Sequence, residues 1–189
     1  MLLYGIVILA SDVLLLILNW FLWGGGVPEL GRAEVASFGG TVLVIAIDGI
    51  FAFLIRRLPE KWFAPGARAF RVGKKERAFL GKLGVKHWKH LVPELGFLSG
   101  FSKDHIGDTR DSEHIGRFLL ESNYGFVIHL ADALCGLFLP LFPFLAPFSV
   151  WFPIFFVNLI LHLMPAAILR YNTPPLRHLY KRSGGEVKE

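Results

Sequence analysis

The sequence predicts an all-α integral membrane protein: about four transmembrane helices with a long cytoplasmic loop that is partly helical and interfacial. Three observations carry that expectation. Four apolar stretches, at about residues 2–23, 35–55, 124–145 and 150–169, are each close to the ~20 residues a helix needs to cross a bilayer. Hydrophobic residues make up 53% of the chain, 18 of its 189 residues are Phe and the mean hydropathy is +0.51, which is more apolar material than a small soluble core can hide. The basic residues are also unevenly placed: fourteen of the 20 lie between Arg56 and Arg117, five lie from Arg170 onward, Arg32 alone sits between the first two spans, and none sits between the last two. Because Lys and Arg accumulate on the cytoplasmic side, both termini and the loop at about 58–120 are expected there, in a protein of the cell membrane.

The first span lacks a basic leader and a small-residue cleavage signal, so it reads as a retained helix. Gly24-Gly25-Gly26 and Pro28 end it, and Arg56-Arg57 before Pro59 closes the second span at the interface. The central loop is too long for a plain connector and is expected to carry function. It holds a basic cluster, Arg71, Lys74, Lys75 and Arg77, and aromatic residues interleaved with cations, which suit a segment lying among lipid headgroups. A short helix at 115–121 is expected to run into the third span, whose outer end Pro140, Pro143 and Pro147 should kink or shorten. Arg170, Tyr171 and Asn172 mark the exit of the fourth span, where Pro174-Pro175 should stop the helix ahead of a basic tail at 170–189. There is no internal repeat, and residues 1–189 read as one membrane domain. The lone Cys135 excludes an intramolecular disulfide and a multi-cysteine zinc site; it reads as a small hydrophobe, and no metal and no cofactor are expected.

Polar residues interrupt all four spans: Asp12 and Asn19, Asp48, His129 and Asp132, then Asn158 and His162. Counting ~1.5 Å of rise per residue from each cytoplasmic helix end puts Asp12, Asp48, Asp132 and His162 roughly 10–16 Å deep, in one layer. Ionisable groups in hydrocarbon are costly and usually serve a purpose. Interhelical hydrogen bonding is the structural alternative, at about 0.6 kcal/mol per contact; a reactive, partly hydrated pocket is the functional one.

The run Arg57-Leu58-Pro59-Glu60-Lys61-Trp62-Phe63, then Lys86-His87-Trp88-Lys89-His90 ahead of Pro93, then Glu121 with His129 eight residues later, and Arg170-Tyr171-Asn172 with Pro174 and Leu176, carry a family resemblance. In order and spacing, over about residues 57–182, this pattern resembles the glycosyl-4,4'-diaponeurosporenoate acyltransferases. The resemblance implies an integral membrane O-acyltransferase that esterifies a hydroxyl of a glycosylated carotenoid with a fatty acyl group. Phe126 stands where the family usually has an acid, His162 where it has Asn, and Thr173-Pro174-Pro175 replaces an Arg-Pro-Arg.

Acyl transfer to a hydroxyl needs a base, oxyanion stabilisation and room for an acyl chain. His129 is the expected general base, with Asp132 one turn away to orient its ring. Glu121 joins the catalytic group by its motif, but it lies about 12 Å from His129 along a helix and is expected to pair with Arg170 at the interface. His162, Asn158 and Tyr171 are candidates for oxyanion stabilisation. Trp88 and Asn172 match the family pattern, and Asp12 and Asp48 share the polar layer where an acceptor would bind. Lys86, Lys89 and the Arg71–Arg77 cluster are expected to hold the phosphates of an acyl-CoA or another acyl donor. The partners are therefore that donor, a lipid or glycolipid acceptor and membrane lipid, without nucleic acid. His87, His90, His105 and His114 lack the His-x-x-His-His clustering of a di-iron oxidase. Asp48-Gly49 with Ala52 echoes the CDP-alcohol phosphotransferases, but Phe53 replaces the expected Arg. The alternative from another class is a non-catalytic lipid-binding or assembly protein whose polar layer is structural.

Overall fold

The computed structural model describes residues 2–92 and 110–186. Among them there is no strand, and four helices are long and apolar enough to cross a membrane. The order is α1 (Leu2–Leu22), α2 (Val27–Arg56), two 3-10 turns (Glu60–Trp62 and Arg68–Phe70), α3 (Lys74–Lys82), α4 (Val85–Trp88), α5 (Ser112–Asp132), a 3-10 segment (Cys135–Leu141) and α6 (Phe148–Arg182). His105 and Pro93 lie outside the described residues. Two compact units are formed, Met1–Leu54 with Leu130–Leu163, and Ile55–His129 with Met164–Glu189.

In the first unit α1 and α2 form a hairpin. Its turn needs a left-handed backbone at Gly25, φ 72°, which costs least without a side chain. The Trp20 indole donates to the Gly26 carbonyl at 2.9 Å, and the Arg32 guanidinium lies over the Trp23 ring at 4.8 Å. Helix α2 begins at Val27, eight residues before the expected span. Pro28 falls in its first turn, where no N–H is needed, and Glu29 there favours the positive end of the helix dipole. Leu15, Ala36, Val44, Cys135, Leu139, Leu145, Val150 and Ile154 form the buried cluster. A side chain at Gly136 would meet the Phe155 backbone at 2.7 Å, so glycine lets the 3-10 segment approach α6. Outward-facing Leu14, Phe21 and Val42 are about two-thirds exposed, as lipid-facing residues are when lipid is the solvent.

In the second unit the segment after α2 folds back on α5 and α6. Phe63 stacks on Tyr124 at 3.8 Å, the Tyr124 hydroxyl donates to the Leu58 carbonyl at 2.7 Å, and the Asn123 amide donates to the Phe63 carbonyl at 2.8 Å. The expected short helix and the third span are one helix: α5 starts where Asp111 accepts the backbone N–H groups of Glu113 and His114, an N-cap. It ends at Asp132, and the chain tightens into the 3-10 segment containing Pro140, in keeping with the shortened outer end read from the prolines.

Pro174-Pro175 does not stop α6, which runs on to Arg182. The two prolines leave the carbonyls of Arg170 and Tyr171 without their helical N–H partners. Tertiary anchoring offsets that loss: Leu176 is buried with Phe118 and Leu119, and Arg177 donates to the Pro65 carbonyl at 2.7 Å.

Candidate functional site

The first unit gathers most of the polar layer. The Thr41 hydroxyl donates to Asp12 at 2.5 Å, tying α1 to α2. Asn19 accepts from the Ser149 hydroxyl at 2.9 Å. The Asn158 amide donates to the Asp132 carbonyl at 2.7 Å. These three are interhelical hydrogen bonds of the kind that holds membrane helices together. Asp12 and Asn158 also line one cavity of about 60 Å³ whose other walls are mostly apolar, Ile8, Val44, Ile154 and Leu161 among them. That volume holds water-sized guests.

Asp48, Asp132 and His162 form a tighter group. Nε2 of His162 is 3.2 Å from Oδ2 of Asp48, and Nδ1 is 3.9 Å from Oδ2 of Asp132. One imidazole therefore faces two carboxylates. Asp132, expected to orient His129, thus has His162 as a ring partner, supplied by the turn of α6 that also carries Asn158. The sequence placed these residues at one depth, but the i, i+3 spacing on α5 drew attention to His129 and away from the partner across the bundle. His129 is half-buried on α5.

The second unit holds the remaining family-pattern residues. Glu121 does not pair with Arg170: it meets Arg56 at 2.9 Å, at the end of α2. Arg170 forks onto Glu76, Nε to Oε1 at 2.6 Å and Nη2 to Oε2 at 2.7 Å, and Nη2 also reaches the Arg71 carbonyl at 3.3 Å. Its guanidinium lies 4.9 Å over the Phe126 ring. A planar fork matches a carboxylate with two parallel bonds, and its flat face stacks on an aromatic. Phe126, which departs from the family's usual acid, thereby serves as the platform for Arg170. Glu76 was not singled out in the sequence, because it sits inside the cationic run Lys74-Lys75-Glu76-Arg77; an acid isolated among bases was the available signal.

Nη1 of Arg170 is buried without a hydrogen-bond partner among the described residues. Nearby in sequence, Tyr171 receives the Lys89 ammonium over its ring at 5.7 Å. The Trp88 indole donates to the Leu83 carbonyl at 3.0 Å and so closes the α3–α4 turn. Lys86, Arg71, Lys74, Lys75 and Arg77 are exposed, and Asn172 is half-buried on α6.

The sequence profile of the glycosyl-4,4'-diaponeurosporenoate acyltransferase family matches residues 59–182, roughly two thirds of the chain. The matched stretch contains Glu76, Lys86, Trp88, Lys89, Glu121, His129, Asp132, Asn158, His162, Arg170, Tyr171 and Asn172, whereas Asp12 and Asp48 precede it. No curated protein and no solved structure matches the chain.

Proposed function

This chain belongs to the glycosyl-4,4'-diaponeurosporenoate acyltransferase family, and from that membership we propose that it moves a fatty acyl group from an activated donor to a hydroxyl of a glycosylated, carotenoid-like lipid. The observation that carries the reading is the match over residues 59–182, a stretch that includes two of the four helices able to cross a membrane.

In this reading His129 takes the proton of the acceptor hydroxyl as its oxygen attacks the acyl carbonyl carbon. The tetrahedral intermediate then collapses, the bond to the donor's leaving group breaks, and the proton passes to that group. Arg170 is the best placed of the polar residues to meet a negative charge on donor or oxyanion. Glu76 and Phe126 fix its plane, and the buried Nη1 has hydrogens to give. Exposed cations on α3 and α4, with Lys89 seated on Tyr171, suit the phosphates of an acyl-CoA-like donor at the headgroup level.

The structural reading accounts for Asp12, Asn19 and Asn158, whose hydrogen bonds join helices. It leaves Asp48, Asp132 and His162 over, because two carboxylates on one imidazole are a poor means of holding helices in hydrocarbon. Turnover separates the two functions. Purified protein in detergent micelles, given radiolabelled acyl-CoA and a glycosylated polyene acceptor, is expected to form a labelled ester. Stoichiometric binding of either lipid with no ester from CoA or carrier-protein donors would establish the non-catalytic alternative.

A further inference from the structure

We propose that Asp48, Asp132 and Cys135 bind a divalent transition-metal cation, Zn²⁺ by donor chemistry, with His162 holding the far side of both carboxylates. One donor atom from each of the three residues lies within 4.8 Å of the others, on α2, at the end of α5 and at the start of the 3-10 segment. The second observation is independent of that clustering. His162 faces Oδ2 of both aspartates, and Oδ1 of both is buried with no hydrogen-bond partner among the described residues. Asp132 as a whole is only 3% exposed, and Cys135 is fully buried. Two orphaned, buried carboxylate oxygens beside a buried thiol leave substantial free energy unsatisfied.

A cation answers it in both charge and geometry. Two carboxylates and a thiolate would bring three negative charges to the ion, of which one divalent cation offsets two. Mixed O and S donors are ones Zn²⁺ accepts, and three protein ligands leave a fourth position open. Ligand atoms around tetrahedral Zn²⁺ stand about 3.3–3.8 Å apart, so side-chain rotations of about 1 Å close the cluster on the ion. As the S–Zn bond forms, the S–H bond of Cys135 breaks and its proton leaves to solvent. The carboxylate–imidazole contacts then act as outer-shell bonds that orient the ligating oxygens. This departs from the expectation of no metal, because a single Cys carries no spacing signature and Asp48 is 84 residues from Asp132 in the chain.

The test uses the full chain purified in detergent and stripped with chelator. Titrated with Zn²⁺, it is expected to retain about one ion per chain after desalting. Titrated with Co²⁺, it should show the near-ultraviolet thiolate-to-cobalt band. Cys135→Ser should abolish that band, and Asp48→Asn should weaken Zn²⁺ binding by more than about 100-fold, beyond the usual outer-shell effect. A parent protein that keeps its helical circular dichroism yet takes up no Zn²⁺ and shows no cobalt band overturns the proposal. So does a band that survives Cys135→Ser. Both readouts are independent of acyl transfer, so failure of the metal site and failure of the enzymatic reading are told apart.

Discussion

Arg170 shows how one residue's surroundings decide its role. Its fork on Glu76 and its stacking on Phe126 use the planar guanidinium in ways an ammonium cannot reproduce. Replacing Glu76 by Gln removes the charge partner and leaves a largely buried cation, so stability should fall by about 1–3 kcal/mol. Arg170→Lys should cost a similar amount, and the double variant should cost less than the sum of the two, because both changes remove one interaction. Thermal unfolding of the four proteins in one detergent checks this, and strict additivity would mean that the pair is not energetically coupled. The residue scale is also where the sequence was least legible. Glu121 and Arg170 were expected to meet from their positions at the interface, but Arg56 at the end of α2 is nearer to Glu121, and the acid for Arg170 comes from α3. Pairings between helices depend on rotation about each axis, which spacing along one chain does not report.

At the scale of elements, composition fixed the existence of the long helices better than their ends. The Gly24–Gly26 break and the proline-rich segment after Asp132 were readable because glycine and proline disfavour regular helix locally. The stop at Pro174-Pro175 was misread for the converse reason: Leu176 and Arg177 are anchored by tertiary contacts invisible to local propensity. Helices α3 and α4 are short and cationic on their exposed faces, which suits them to phosphate more than to a folded core. Lys86→Ala with Lys89→Ala should therefore raise the KM for an acyl-CoA donor several-fold with little change in kcat, as expected when uniform binding is lost. Steady-state kinetics with varied donor check it. If KM stays at the parent value and only membrane insertion or expression falls, these lysines are lipid anchors.

Across the whole molecule, the apolar spans and the basic asymmetry together predict that both termini are cytoplasmic. Cysteines placed at Gly25 and Glu186 should react with an impermeant maleimide from opposite sides of intact membranes. The native Cys135 is fully buried and gives little background. Labelling of both positions from the outside would contradict the topology. The family match covers residues 59–182, and transfer of an acyl group is the activity proposed for the chain. The most direct measurement is acyl transfer per folded molecule, with labelled donor and glycosylated polyene acceptor, for the parent and for His129→Gln. Glutamine keeps the volume and hydrogen bonding of the side chain but removes the base. The rate should fall by ~10²–10⁴ while helical content, elution and acceptor binding hold at parent levels. A His129→Gln protein that transfers acyl groups at the parent rate would contradict the assignment of His129 as the general base.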